Sequence, residues 1–246
     1  MTLSRQACAL LAPVLLAGAA QAGTVNVSVD VSQTWLSYAS VFELPAVPGT
    51  DRGAFVYGQF YYPGFYAVPP GTVTGNRVQL RPNTTLATAD TDTANPFFSF
   101  WWTPDGMGGF APNKTVRDGF YIQDDTLAGN DIVFSGFTLA NSLSAPYGAS
   151  ARAFVVDTFG PGYDLSAVQY TPLVPGQAFS VNLTVPAGHH SAYGIEVVGP
   201  NAHASALDRL GAVQVTAIPE PSRMALVLAG LLALDMRLRR RRSRQP

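Results

Sequence analysis

Residues 23–217 of this 246-residue chain predict an all-β fold, an antiparallel β-sandwich of jelly-roll type. Three observations predict it. Apolar residues recur every second position and not every 3.6, the apolar runs are short, and glycine- and proline-rich turn signals separate them. About ten such runs with hardly any helical pattern are what two packed sheets need.

The first run is Val25, Val27, Val29 and Val31, alternating with Asn26, Ser28 and Asp30, which is the period of a strand buried on one face. Residues 54–62, 77–80, 97–102, 119–123, 131–139 and 151–157 follow, enriched in Val, Ile, Phe, Tyr and Trp. Phe179, Val181, Leu183 and Val185 then repeat the alternation against Ser180, Asn182 and Thr184, and residues 193–198 and 212–216 complete the set. Turns are marked by Pro63-Gly64, Pro70-Gly71, Asp105-Gly106, Asp118-Gly119, Gly160-Pro161-Gly162, Pro175-Gly176 and Gly199-Pro200-Asn201. No internal repeat and no second domain is visible.

An export leader precedes the domain. Arg5 supplies a positive start, Ala7 to Ala20 an apolar stretch, and Ala20-Gln21-Ala22 an A-x-A cleavage site that exposes Gly23, so residues 1–22 read as a signal peptide. Cys8, the only cysteine, lies inside it. The mature chain is therefore expected to hold no disulfide and no cysteine metal site, and its roughly 195 residues must be stabilised by core size alone.

The formal charge of −1 hides a strong asymmetry. Seven of the fifteen basic residues sit in the tail and Arg5 in the leader, leaving Arg52, Arg77, Arg81, Lys114, Arg117, Arg152 and Arg209 against fourteen acidic residues, a formal −7 for the domain. Non-specific nucleic-acid binding needs a positive face, so nucleic acid is excluded as an expected partner.

Residues 218–246 form three consecutive blocks. Pro219-Glu220-Pro221 fixes an extended, helix-breaking turn. Met224 to Leu234 is apolar on every face, which predicts a single hydrophobic helix, although it is shorter than the about 20 residues a bilayer of roughly 30 Å requires and is followed by Asp235. The basic end Arg237, Arg239, Arg240, Arg241, Arg242 and Arg244 resists translocation and serves as a membrane stop on the inner face. This order and chemistry resemble the PEP-CTERM sorting signal of bacterial secreted proteins. The resemblance implies processing by an exosortase-type membrane enzyme, transient anchoring in the inner membrane, and final placement at the cell surface, outer envelope or extracellular matrix. Residues 173–183 and 193–202 also look like the last strands of many PEP-CTERM proteins, a likeness that carries no activity.

Catalytic signals are sparse. His189, His190 and His203 are the only histidines, the adjacent pair projects to opposite faces of an extended chain, and no Gly-x-Ser-x-Gly elbow occurs. A glycoside hydrolase needs two facing carboxylates about 5 to 9.5 Å apart. Asp90, Asp92, Asp124, Asp125 and Glu196 are available acids, but the sequence alone does not pair them. No catalytic residue, cofactor or metal ligand is assigned. Calcium is the one ion worth weighing, because Asp90-Thr91-Asp92 and the loop with Asp124, Asp125, Asn130 and Asp131 are rich in hard oxygen donors. Neither has the EF-hand pattern.

Aromatic residues cluster at Phe55 to Tyr66 and at Phe97 to Trp102. In a strand, Trp101 and Trp102 point to opposite faces, so one is expected to stand outward as a possible glycan contact. Two function classes follow: a non-catalytic envelope or extracellular-matrix protein associated with exopolysaccharide, and alternatively a secreted carbohydrate-active enzyme with an unrecognised carboxylate pair.

Overall fold

A computed structural model of the protein describes residues 23–45, 52–61, 71–87, 93–157 and 164–218. The expected leader with Ala20 and Ala22, the hydrophobic helix expected in the tail, Pro219, Glu220, Pro221 and the arginines from Arg237 onward lie outside the described residues. Among the described residues no helix is long and apolar enough to cross a membrane.

The described strands are β1 (Thr24–Ser28), β2 (Leu36–Glu43), β3 (Phe55–Tyr61), β4 (Gly71–Thr74), β5 (Arg77–Leu80), β6 (Trp102–Pro104), β7 (Phe110–Pro112), β8 (Lys114–Gln123), β9 (Asp131–Asn141), β10 (Gly148–Asp157), β11 (Asp164–Pro172), β12 (Ala178–Thr184), β13 (His190–Pro200) and β14 (Val213–Thr216). Two single-turn helices, α1 (Phe98–Trp101) and α2 (Leu207–Leu210), accompany them. The first sheet runs β1-β9-β14-β5-β4, with β12 also on β9. The second runs β11-β10-β13-β8-β2-β3, and β6 and β7 form a separate ribbon.

The chain is thus all-β with mainly antiparallel pairing, as its alternation predicts. One pair departs from the expectation: β1 lies parallel to β9, with Thr24 opposite Asp131 and Ser28 opposite Ser135. Because β12 uses Asp131 to Phe137, β1 must occupy the other edge of β9, whose farther half, Phe137 to Asn141, is taken by β14. β9 is therefore the strand on which the first sheet is assembled.

The inward faces of both sheets meet in one apolar cluster. Val78 and Leu80 of β5, Ile132 and Phe134 of β9, Phe179, Val181 and Leu183 of β12 and Val213 and Val215 of β14 face Phe120 and Ile122 of β8, Ala151, Ala153 and Val155 of β10 and Tyr193, Ile195 and Val197 of β13. Burying each Val, Leu, Ile or Phe side chain in such a layer is worth roughly 1.5–3 kcal/mol. Phe134 is fully buried, with its ring 5.5 Å from that of Phe179 and 5.1 Å from that of Tyr193, and so joins the two sheets at the centre.

A second cluster, Ala39, Val41, Ala87, Phe98, Trp101, Trp102 and Val116, closes one end. Here the sequence expectation of a strand over residues 97–102 is corrected. Asn95 accepts hydrogen bonds from the Phe97 N–H through Oδ1 and from the Phe98 N–H through its carbonyl. That turn rolls the aromatic run into α1, which buries Phe98 and Trp101 on one side and hands the chain to β6 at Trp102.

Phe134→Ala is expected to lower the unfolding free energy by about 3–5 kcal/mol, because it empties a site in contact with both sheets. Urea denaturation measures this. A loss as large for Val25→Ala, on the half-buried β1, would show that the edge strand and not the inter-sheet layer carries the stability.

Candidate functional site

Trp101 and Trp102 do not form an aromatic platform. Each is 4% exposed, and the Trp102 Nε1–H donates to the Ala87 carbonyl at 3.0 Å. The opposite-face rule that placed one of them outward holds for a strand, whereas the chain turns from α1 into β6 between them. Trp35, at 8% exposure, is also a core ring, 5.1 Å from Phe120. Outward aromatics stand elsewhere, at Phe55, Phe97, Phe110 and Tyr170.

The histidines are not brought together. His189 Nδ1 lies 3.3 Å from the Ala187 carbonyl, His190 pairs through Nδ1 with Asp125 at 2.8 Å, and His203 caps the turn that follows β13. The acidic loop of the calcium expectation spends its oxygens internally. The Asp124 carboxylate accepts from the Thr126 N–H and hydroxyl, and Asp131 accepts from the Thr184 hydroxyl. Among the described residues no group of three or more His, Cys, Asp or Glu side chains is arranged to hold a metal ion. Asp90 and Asp92 lie outside the described residues. Gly23, the expected first residue of the mature chain, accepts the Asp131 N–H at 3.0 Å and leads directly into β1.

Among the described residues the densest charged network lies on the outward face of the second sheet, at positions that carry no sequence motif. Arg152 of β10, Glu196 of β13, Arg117 of β8 and Tyr38 of β2 are all buried, and they join across four neighbouring strands. Arg152 Nη1 donates to Glu196 Oε2 at 3.1 Å and to the Tyr38 hydroxyl. Glu196 Oε2 also faces Arg117 Nε at 3.4 Å, while Oε1 accepts from the Ser150 hydroxyl at 2.9 Å. Both oxygens of Glu196 are thereby engaged, so this acid is not one half of an open carboxylate pair.

Two glycines make the reach possible. Gly119 stands opposite Tyr38 and Gly194 opposite both Tyr121 and Arg152 in register. A Cβ at Gly119 would fall inside the Tyr38 ring, and one at Gly194 would meet the backbone of Phe120 and Tyr121. With no side chains there, Tyr38 lies flat across the sheet toward Arg152, whose guanidinium rests 4.6 Å from the Phe154 ring centroid and 5.6 Å from that of Tyr38. Burial pushes the Tyr38 phenol far above its ordinary range, against the pull of Arg152. The legible signal was the placement of Arg152 between Ala151 and Ala153, and of Glu196 between Ile195 and Val197. A charge inside an apolar strand that is covered on both faces must find partners.

The residue next to Arg117 faces the other way. Asp118 points inward, is 2% exposed, and accepts the Asn83 N–H at 2.9 Å through Oδ2. Its Oδ1 is buried without a hydrogen-bond partner. Burial raises its pKa from 3.8 to about 7, with the hydrogen bonds from Asn83 opposing the shift.

A carboxyl whose pKa is raised by folding binds its proton more tightly in the native state, so it stabilises the fold most in acid. That contribution is complete below about pH 3.8 and is lost as pH rises toward 7. Asp118→Asn is expected to match the wild type near pH 4 and to exceed it by a few kcal/mol at pH 8. Paired melting curves across this range measure the difference. A constant offset at all pH values would mean that Asp118 titrates normally.

Compared with known protein families, curated proteins and solved structures, the chain matches none.

Proposed function

We propose that this is an exported, non-catalytic protein of the bacterial envelope or extracellular matrix, delivered through its leader and released by an exosortase-type membrane enzyme that reads Pro219-Glu220-Pro221. The observation that carries this reading is the tail itself: turn tripeptide, apolar run and arginine cluster follow in that order within residues 219–246. What lies before it is consistent with that order. β14 is hydrogen-bonded between β9 and β5, ends at Thr216, and leaves Ala217 and Ile218 exposed. Severing the chain at the tripeptide therefore removes no described strand, so a released domain keeps its fold.

The sandwich is read as a jelly roll. Eight strands divide between the sheets, β5, β9, β12 and β14 in the first and β8, β10, β11 and β13 in the second, and the chain changes sheet at every step between them except β10 to β11. Their spatial orders, β5-β14-β9-β12 and β8-β13-β10-β11, are those of a rolled double Greek key. β1 to β4 then extend the two sheets at their edges. Such a module suits a binding or matrix role, with exopolysaccharide as the associated polymer and the inner membrane as a transient station on the way to the cell surface.

Replacing Pro219, Glu220 and Pro221 with alanines is expected to leave export intact and to accumulate precursor in the inner membrane. Deleting residues 237–246 removes the stop charges from a short apolar run and is expected to release unprocessed chain through the membrane. Fractionation with an antibody to the β-domain separates the products by size and compartment. Equal processing of the wild type and the triple-alanine chain would reject the sorting reading.

A further inference from the structure

We propose that residues 83–87, which follow β5, form a proton-controlled strap over the second core: the strap stays shut while the Asp118 carboxyl beneath it is neutral, and opens as that carboxyl ionises. The proposal is independent of the sorting reading above.

The strap is built on Asn83. Its Oδ1 accepts the Thr85 N–H and the Thr85 hydroxyl, both at 2.9 Å, and the Leu86 N–H at 3.2 Å, which folds residues 83–86 into a compact turn. One end of this turn hangs from Asp118, whose Oδ2 accepts the Asn83 N–H. The other end closes the second core. Ala87 is buried in the cluster of Trp101, Trp102 and Val116, and its carbonyl accepts the Trp102 Nε1–H. Asn83 and Thr84 are buried as well, so the strap covers the carboxyl from which it hangs.

That carboxyl has no countercharge. Among the described residues no Lys, Arg or His pairs with Asp118. Its cross-strand neighbours are Ala39 on β2 and Val197 on β13. Arg117 and Glu196, beside Asp118 and Val197 in the chain, pair on the outward face with Arg152, and Glu43 and Lys114 bond to each other at the end of the β2–β8 pair. The titratable groups that share its field are the phenols of Tyr38 and Tyr147, both kept neutral by burial. The strap, Asn-Thr-Thr-Leu-Ala, carries no charge, and Arg81 before it is half-buried. An ionised carboxylate in this place has one relief short of unfolding the sandwich, which is to lift the strap and admit water. The closed state binds the proton up to about pH 7, and a solvated carboxyl releases it near the ordinary 3.8. The closed strap is therefore favoured in acid, and the opening equilibrium rises with pH between these values. Hydrogen bonds from Asn83 favour the ion and oppose the opening, but burial outweighs them.

Hydrogen–deuterium exchange of the full chain in mild detergent, corrected for the intrinsic pH dependence of amide exchange, reads the opening. Protection of the Thr85 and Leu86 amides is expected to fall roughly 100- to 1000-fold from about pH 4 to about pH 8. The fall levels off at the pH at which the carboxyl NMR signal of Asp118 titrates. Global unfolding gains from the same proton release, so urea separates the two events. Strap amides are expected to exchange far faster than those of β9 and to be barely accelerated by low urea, whereas the β9 amides respond steeply because they need the whole sandwich to open. Asp118→Asn is expected to hold strap protection constant across the pH range. Strap and β9 amides that share one rate and one urea slope would show that residues 83–87 open only with the domain, and the strap is overturned. Protection that does not change with pH, that falls equally in Asp118→Asn, or that levels off away from the Asp118 titration in the wild type overturns the role of the carboxyl.

Discussion

Burial of one apolar layer between two sheets is the constraint on which the rest of this domain depends. The chain has a single cysteine, Cys8, so no internal disulfide helps. Phe134, Tyr193, Phe179 and the aliphatic residues around them must supply the cohesion. Because the layer is continuous, strands that change sheets at nearly every connection are held in place by side chains that meet across it. The same density leaves little room for polar intrusions, and Asp118, which enters at the edge of this layer, shifts its proton affinity in response.

Most of the strands were legible because the sheets carry one-sided burial. β12 reads as a plain alternation and is buried at Phe179, Val181 and Leu183 in turn. β2 was not legible, since Ala39 and Val41 pack inward while Tyr38 and Phe42 are buried on the other face, and the alternation of polarity vanishes. Residues 97–102 were misread for a different reason. Aromatic residues have strand propensity, but the hydrogen bonds of Asn95 and the closing of a second core favour one helical turn. The candidate site was hidden because its members, Tyr38, Arg117, Arg152 and Glu196, are far apart in sequence and become neighbours only through the order of β2, β8, β13 and β10. No spacing rule reports such a row.

The outward row also changes what the aromatic content means. The opposite-face rule places one of Trp101 and Trp102 outward as a glycan contact, yet both rings are spent on the core. The large ring most exposed on the second sheet is instead Tyr170, on the edge strand β11.

The parallel strand β1 has a consequence for how the chain leaves the sheet. β14 runs along β9 from Asn141 toward Phe137, and the next places on that edge, Ser135 back to Asp131, are already filled by β1. The two strands approach head to head, with Ser28 and Thr216 on either side of a notch of about 520 Å³. Nothing past Thr216 can go on pairing with β9, so Ala217 and Ile218 are turned out to solvent. The N-terminal strand thus acts as an end stop that decides where the C-terminal segment is extruded. Without it, the free half of the β9 edge would be a template along which the chain after Thr216 could be drawn into the sheet.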